Sequence, residues 1–402
     1  MRILHTSDWH LGRTLHGVDL TDHHAAFLDH LVEVVREERV DAVLVAGDVY
    51  DRALPPVDSV ALLSDALTRL TEHTRVVLTP GNHDSATRLG FGSGLFRDRL
   101  CVRARVPDLG RPVELPAADG SLGARVYALP YLDPDLARED LADPGEDGAG
   151  RTVPARSHEA VTTAALARVR SDLARRRAAE ARATPAALVA HTFVTGGAPS
   201  ESERDIRVGG VDQVPSGVFA DVGLDYVALG HLHGPQRVGR DGVDPAMRYA
   251  GSPLAFSFSE ARHRKSTAIV DLGPDGVRDV DLVETPVPRP LADVTGPLEE
   301  VLGRRFDHLT GHWVRVTVTD PVRPEQLWAR VSRRFPHALV LRHDPADVPA
   351  RRPGPSAATV AQDPLEVATS FLRAAGGRPA EEAEVAVLRQ AYESVLAAER
   401  SA

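Results

Sequence analysis

Apolar residues recur along the first two thirds of the chain in two alternating rhythms. Short unbroken runs read as buried strands bounded by Gly or Pro: RILHT (2–6), DAVLVAG (41–47), RVVLTPG (75–81), RVYALP (125–130), AALVAH (186–191), DYVALGH (225–231), RYAGSP (248–253) and TAIVDL (267–272). Between them, apolar positions fall at helical spacing. Phe27, Leu28, Leu31, Val34 and Val35 predict one helix, VALLSDALTRLTE (60–72) a second, and an Ala/Arg-rich stretch from about Ser157 to Ala183 a third. Strands separated by helices predict an α/β architecture with buried sheets.

The rhythm changes at TPVPRP (285–290), which reads as a linker. Beyond it, WVRVTVTD (313–320), EQLWARVSRRF (325–335) and HALVLRHD (337–344) predict a small strand–helix–strand unit. Residues 346–362 are rich in Pro and Ala and predict a flexible tether. Two amphipathic helices are expected to close the chain. One starts at Asp363-Pro364, a good cap and first helical position, carries Leu365, Phe371 and Leu372, and stops at Gly376-Gly377. The other carries Val385, Leu388 and Tyr392. The expected divisions are therefore 1–284, 287–345, a linker at 346–362 and a helical tail at 363–402.

Chemistry concentrates where the strands end. SDWHLG (7–12) delivers Asp8 and His10, GDVYD (47–51) delivers Asp48 and Asp51, and GNHD (81–84) delivers Asn82, His83 and Asp84. AALVAH ends in His191, and GHLHG (230–234) brings His231 and His233. Taken singly, each piece has an ordinary explanation as a turn or a structural histidine. Together they line the edge where open α/β sheets bind ligands. Carboxylate, amide oxygen and imidazole without thiolate suit hard or borderline divalent ions. Seven of these ten groups acting as ligands exceed what one open ion needs and suit a pair of ions about 3.5–4 Å apart sharing a carboxylate, as in phosphoester-cleaving enzymes.

Composition narrows the picture. A net charge of −10 argues against a wholly basic nucleic-acid coat but not against a local basic groove. Residues 287–345 hold nine Arg, seven acids and four His, mildly basic and suited to steering DNA. Almost every positive charge is Arg; Lys265 is the single lysine. The single cysteine, Cys101, excludes an internal disulfide and a Cys-based zinc site. With no signal-peptide pattern and no apolar stretch of membrane-spanning length, a soluble cytoplasmic protein is expected. No phosphate-binding GxxxxGK[ST] loop is present, so any ATP-driven step needs another chain.

The order DxH, GDxxD, GNHD, H, GHxH resembles that of the metallophosphoesterase superfamily, the calcineurin-like phosphoesterases. MRILHTSDWHLG, VDAVLVAGDVYD, GNHDS and GHLH look most like the nuclease subunits of SbcCD-type DNA repair exonucleases. The resemblance implies a sandwich of two mixed β-sheets flanked by helices, with a small α/β cap and a C-terminal helical tail. It implies two divalent ions, Mn²⁺ foremost: one on Asp8, His10, Asp48 and His233, the other on Asp48, Asn82, His191 and His231. His83 would protonate the leaving 3′ oxygen, a role the ordinary pKa of an imidazole permits, and Asp51 would orient it.

The expected activity is 3′–5′ exonuclease action on duplex DNA and endonuclease action on single strands and hairpins. The expected partners are DNA and an SbcC-like coiled-coil ATPase bound by residues 363–402, with a homodimer inside a heterotetramer. Arg13, His16 and Arg88 are the candidate DNA contacts, although solvated loop charges explain each equally well. A phosphodiesterase for small or cyclic substrates, a protein phosphatase and an inactive scaffold are the alternatives. The small domain, tether and tail speak against the first two, and the intact ligand set against the last.

Overall fold

The computed structural model describes residues 1–96, 99–117, 119–144, 151–206, 213–345, 364–376 and 380–399. Two compact units divide the chain, Met1–Asp344 and Pro345–Ala402.

Two six-stranded mixed sheets form the body of the first unit. In one, the order is Gly276–Glu284, Ser266–Gly273, Arg2–Thr6, Ala42–Ala46, Arg75–Thr79 and Leu100–Val102. The four strands from Arg2–Thr6 onward run parallel. The other sheet runs Gln236–Val238, Ala246–Tyr249, Tyr226–Gly230, Ala186–His191, Leu122–Leu129 and Val113–Pro116, with antiparallel strands at both edges. Side-chain alternation explains the layering. Ile3, Leu44 and Val77 meet Val126, Val189 and Ala228 between the sheets. Leu4, Val43, Val45 and Leu78 face the opposite way, onto Phe27, Leu31, Leu63 and Leu70 of the helices Thr21–Glu37 and Val57–His73. The second sheet is covered by the helix His158–Ala178 through Val161, Ala165, Val169 and Leu173.

That helix is shorter than its pattern predicts. Ser157 caps it, accepting from Ala160 N at 3.2 Å. Its end comes before Glu180, whose carboxylate is drawn to Arg125 and Thr184, turning the chain into the strand at Ala186. Several strands lay outside the predicted set. Gly276–Glu284 is exposed over most of its length, so it lacks an apolar rhythm; it is held by its hairpin with Ser266–Gly273.

Residues 291–343 carry a three-stranded parallel sheet, Leu291–Gly296, Trp313–Val318 and Ala338–His343, covered by the helix Leu327–Arg334. Its own core includes Val294, Val316, Val331 and Phe335. A separate cluster joins this sheet to the body: Leu15, Leu20, Leu254, Phe256 and Phe258 pack with Leu291 and Trp313.

In the second unit, helices Pro364–Gly376 and Glu382–Glu399 contact each other. Phe371, Val367 and Val387 are exposed. The tether expected at 346–362 lies outside the described residues. No helix among the described residues is long and apolar enough to cross a membrane.

Candidate metal centre

Five parallel strand ends, at Thr6, Ala46, Thr79, His191 and Gly230, open onto one cleft. The turns leaving them are tightly constrained. Asp8, His10, Asp48 and His231 all have positive φ (54°, 47°, 49° and 111°), a backbone that non-glycine residues adopt rarely. Gly47 takes φ 83°, and a Cβ there would overlap the His191 ring. A Cβ on Gly81 would overlap the Asp48 carboxylate.

The seven expected donors converge. Asp8, His10 and His233 offer ligand atoms within 4.8 Å of one another, as do Asp8, Asp48 and His191. Asp48 Oδ2 lies between the two halves, 3.6 Å from His10 Nε2 and 3.4 Å from His191 Nε2. Asn82 Oδ1 is 2.9 Å from His191 Nε2 and 3.2 Å from His231 Nδ1. All but Asn82 are buried.

Tautomer assignments expose a deficit of positive charge. His191 donates Nδ1–H to Ala46 O at 2.8 Å, so a neutral ring points its Nε2 lone pair at two oxygens, Asn82 Oδ1 and Asp48 Oδ2. His10 and His233 face each other through Nε2 atoms 3.1 Å apart. At that distance either one ring N–H donates to the other or, with both rings protonated on Nδ1, a cation fills the space between the two lone pairs. The titration of the cluster agrees. Burial pushes the Asp8 carboxyl up to about 6 despite the nearby His191 and His233, and burial drops His10 to about 3. For His191, burial opposes charge, but Asp48 and Asp8 outweigh it and move the ring up to about 9. Asp48 itself is pressed upward by burial, yet His191 and His10 hold it well below the usual carboxylate range. A proton on His191 stands in for a cation here. Oxygen and nitrogen donors, converging lone pairs and two buried carboxylates fit divalent metal ions.

His83 lies beside this set, half-buried. Its ring packs edge-on to His10, with centroids 4.7 Å apart, and its backbone N–H donates to Asp48 Oδ1 at 2.9 Å. It also offers a ligand atom within reach of His10 and Asp48. Its Nδ1–H donates to the main-chain oxygen of Asp51 at 2.8 Å, while the Asp51 carboxylate is 3.9 Å away. That carboxylate sits nearer His10 Nδ1, at 3.5 Å, and Arg13 Nη1, at 3.6 Å. Asp51 is thus the residue that holds the His83 ring, and the contact is made by its carbonyl, with its carboxylate farther away. Asp84 ties the turns together, accepting from Val49, Tyr50 and Gly81 backbone N–H groups.

The three expected DNA contacts differ. Arg13 is largely used by the protein, donating to Ser202 O at 2.8 Å with its guanidinium over the Phe256 ring. His16 and Arg88 are exposed. Sequence reasoning missed Arg204, an exposed residue whose guanidinium reaches Asn82 O at 3.4 Å, and Phe256, which packs against His10 and His233. Neither carries a local signal, since each comes from a loop far along the chain.

Residues 1–235 match the calcineurin-like phosphoesterase family. The chain belongs to that family. Residues 287–375 match the type 5 capsule protein repressor C-terminal domain. The SbcD subunit of the nuclease SbcCD from Rhodobacter capsulatus is 39% identical over 324 residues, 75% of this chain and 74% of that protein. Among solved structures, TT1561 of Thermus thermophilus is 14% identical with a TM-score of 0.40, covering 70% of this chain and 98% of that one. GAP50, the anchor in the inner membrane complex of Plasmodium, is 10% identical with a TM-score of 0.39, covering 87% and 98%. Family membership implies divalent metal ions, and the strand-end cluster offers donor groups of the kind they take.

Proposed function

We propose that this protein is a metal-dependent DNA nuclease, the nuclease subunit of an SbcCD-type repair complex. The observation that carries the reading is the complete strand-end donor set, with Asp48 between its two halves, on a chain so similar to the Rhodobacter SbcCD nuclease subunit. Asp8, His10, Asp48 and His233 would hold one ion, and Asp48, Asn82, His191 and His231 the other. Mn²⁺ suits these oxygen and imidazole donors. Bound ions would supply Lewis acidity, acidifying water and drawing charge from the phosphodiester.

The chain's own groups do the rest. His83, fixed through Nδ1 by the Asp51 carbonyl, has Nε2 left to carry a proton to the departing 3′ oxygen. Exposed Arg204, which reaches the Asn82 carbonyl, and exposed His16 and Arg88 would meet backbone phosphates. We assign residues 287–345 to DNA capping.

Residues 363–402 would dock on an SbcC-like coiled-coil ATPase through the face bearing Phe371 and Val387, by the helix-in-groove mode. Leu54, Val60, Phe91 and Phe96 line an apolar groove beside the helix Val57–His73, which supports a homodimer within the heterotetramer.

Incubating the protein with linear duplexes, hairpins and small cyclic phosphodiesters in Mn²⁺ tests the assignment. Cleavage of DNA is expected. A preference for the small substrates by orders of magnitude in kcat/KM rejects it in favour of the phosphodiesterase alternative.

A further inference from the structure

The single lysine of the chain is buried beneath the metal centre, in a network the mechanism above does not use. Lys265 is 3% exposed and Glu260 1%. All three ammonium hydrogens have acceptors: a short contact to Glu260 Oε2, Ser252 Oγ at 2.8 Å and the main-chain oxygen of His233 at 3.0 Å. A planar guanidinium, the cation used everywhere else in this protein, presents a different donor geometry. The other carboxylate oxygen, Glu260 Oε1, accepts from Ser202 Oγ in a short contact and from Phe256 N at 3.2 Å. Ser202 Oγ is in turn 2.6 Å from His233 Nδ1.

Hydrogen counting fixes the direction of this chain. An ammonium only donates, so Glu260 next to it accepts, and a carboxylate paired with a buried ammonium stays ionised. Ser202 has one hydroxyl hydrogen and gives it to Glu260. The neighbouring Ser200 hydroxyl is committed to Glu203 and does not compete for it. Ser202 Oγ then has only lone pairs to offer His233, so His233 Nδ1 carries the hydrogen. Its Nε2 is left unprotonated, aimed across at His10.

We infer that Lys265, Glu260 and Ser202 form a positioning relay that locks His233 in the Nδ1–H tautomer and presents its Nε2 lone pair to the metal. The inference rests on the reading of His233 as a ligand. None of the three relay side chains touches substrate. Outer partners of this kind orient the ring and set its basicity, and their loss typically costs about 10–100-fold in metal affinity. The relay also makes a directional claim. In Glu260→Gln, the amide oxygen is claimed by Lys265 and the NH₂ turns toward Ser202. Ser202 then donates its hydroxyl hydrogen to His233 Nδ1, which must accept, so the ring carries its own proton on Nε2, where it opposes ligation.

The full-length protein and its variants are titrated with Mn²⁺ alone, with bound and free ion separated by electron paramagnetic resonance. The tautomer is read by NMR of ¹⁵N-histidine-labelled protein before metal is added. Wild type is expected to bind two ions, with His233 protonated on Nδ1. Ser202→Ala and Glu260→Gln are expected to weaken one ion about 10–100-fold and spare the other, and Glu260→Gln to move the ring proton to Nε2. Ser202→Thr, which keeps the hydroxyl, is expected to restore affinity, whereas Lys265→Arg is not. Ser202→Ala leaves the buried ion pair intact, so it decides the matter even where Glu260→Gln does not fold. Wild-type affinity for both ions in Ser202→Ala with an unchanged tautomer overturns the relay, and so does equal weakening of both ions. Fewer than two ions on wild type would instead overturn the two-ion reading, and the tautomer measurement still judges the relay.

Discussion

His83 donates its Nδ1–H to the main-chain oxygen of Asp51, 2.8 Å away, and not to that residue's carboxylate. A carbonyl cannot be removed by changing a side chain, so the orientation of His83 is expected to survive substitution at position 51. His83→Ala is expected to keep both Mn²⁺ ions and lose about 10²–10⁴-fold in cleavage rate, the usual worth of a general acid. Asp51→Asn is expected to cost less. Equal losses in the two variants, measured as kcat on a short duplex, would assign the orienting role to the carboxylate after all. Loss of a metal ion in His83→Ala would move His83 among the ligands.

Asp48 stands between the two halves of the donor set, and four imidazoles and an amide gather around it and Asp8. Asp48→Ala is therefore expected to weaken both ions together, whereas Asn82→Ala weakens one. Isothermal titration with Mn²⁺ separates these outcomes. Retention of one full-affinity ion in Asp48→Ala rules out a shared carboxylate.

Away from the centre, Asp172 is a buried carboxylate that accepts from Tyr127 OH at 2.9 Å and from Arg176 Nε at 2.6 Å, with Arg175 also in contact. Burial alone would raise its pKa; the hydrogen bonds from Arg176 and Tyr127 and the arginine charges outweigh that and hold it below the usual carboxylate range. Asp172→Ala also strands the hydroxyl of Tyr127, which is 1% exposed, so a loss of about 1–3 kcal/mol is expected. The sign of the pH effect follows from the lowered value. The contribution is full above the unfolded carboxylate pKa and is lost as pH falls through the lower folded value. Urea unfolding across pH 7 to 3 is thus expected to show the gap between wild type and variant narrowing only at the acid end. A gap that widens there contradicts the assignment.

Removing residues 350–402 is expected to leave Mn²⁺-dependent cleavage of single-stranded DNA largely intact and to abolish co-purification with the coiled-coil ATPase. Any ATP-stimulated degradation of duplex ends is expected to go with it. Stoichiometric co-purification of the shortened chain shows that the tail is not the main attachment.

Much of this donor cluster is legible in the sequence because each expected donor follows a strand whose apolar run is unambiguous. Asp8, Asp48, Asn82, His191 and His231 are found simply by asking what stands at the ends of RILHT, DAVLVAG, RVVLTPG, AALVAH and DYVALG. The positive φ at Asp8, His10, Asp48 and His231 is not legible, because those residue types occur in ordinary turns as well. Nor is the support beneath His233: Ser202 and Glu260 lie 31 and 27 residues from it and meet it only after the loops fold over the second sheet. Exposed edge strands such as Gly276–Glu284 escape for another reason, since pairing rather than burial holds them.

The long separation of the ligands has a consequence for synthesis. His10 and His233 touch across 223 residues. At a translation rate of about 5–20 residues per second, roughly 10–45 s pass between their addition to the chain. Through that interval the ribosome carries Asp8, His10, Asp48 and Asn82 with no His231 or His233 to complete either half of the proposed donor set. A polypeptide terminated before position 231 lacks ligands from both halves of the site. Chains abandoned on the ribosome up to that point are thus expected to be harmless to the chromosome, because the proposed donor set closes only with the turn that follows the strand Tyr226–Gly230.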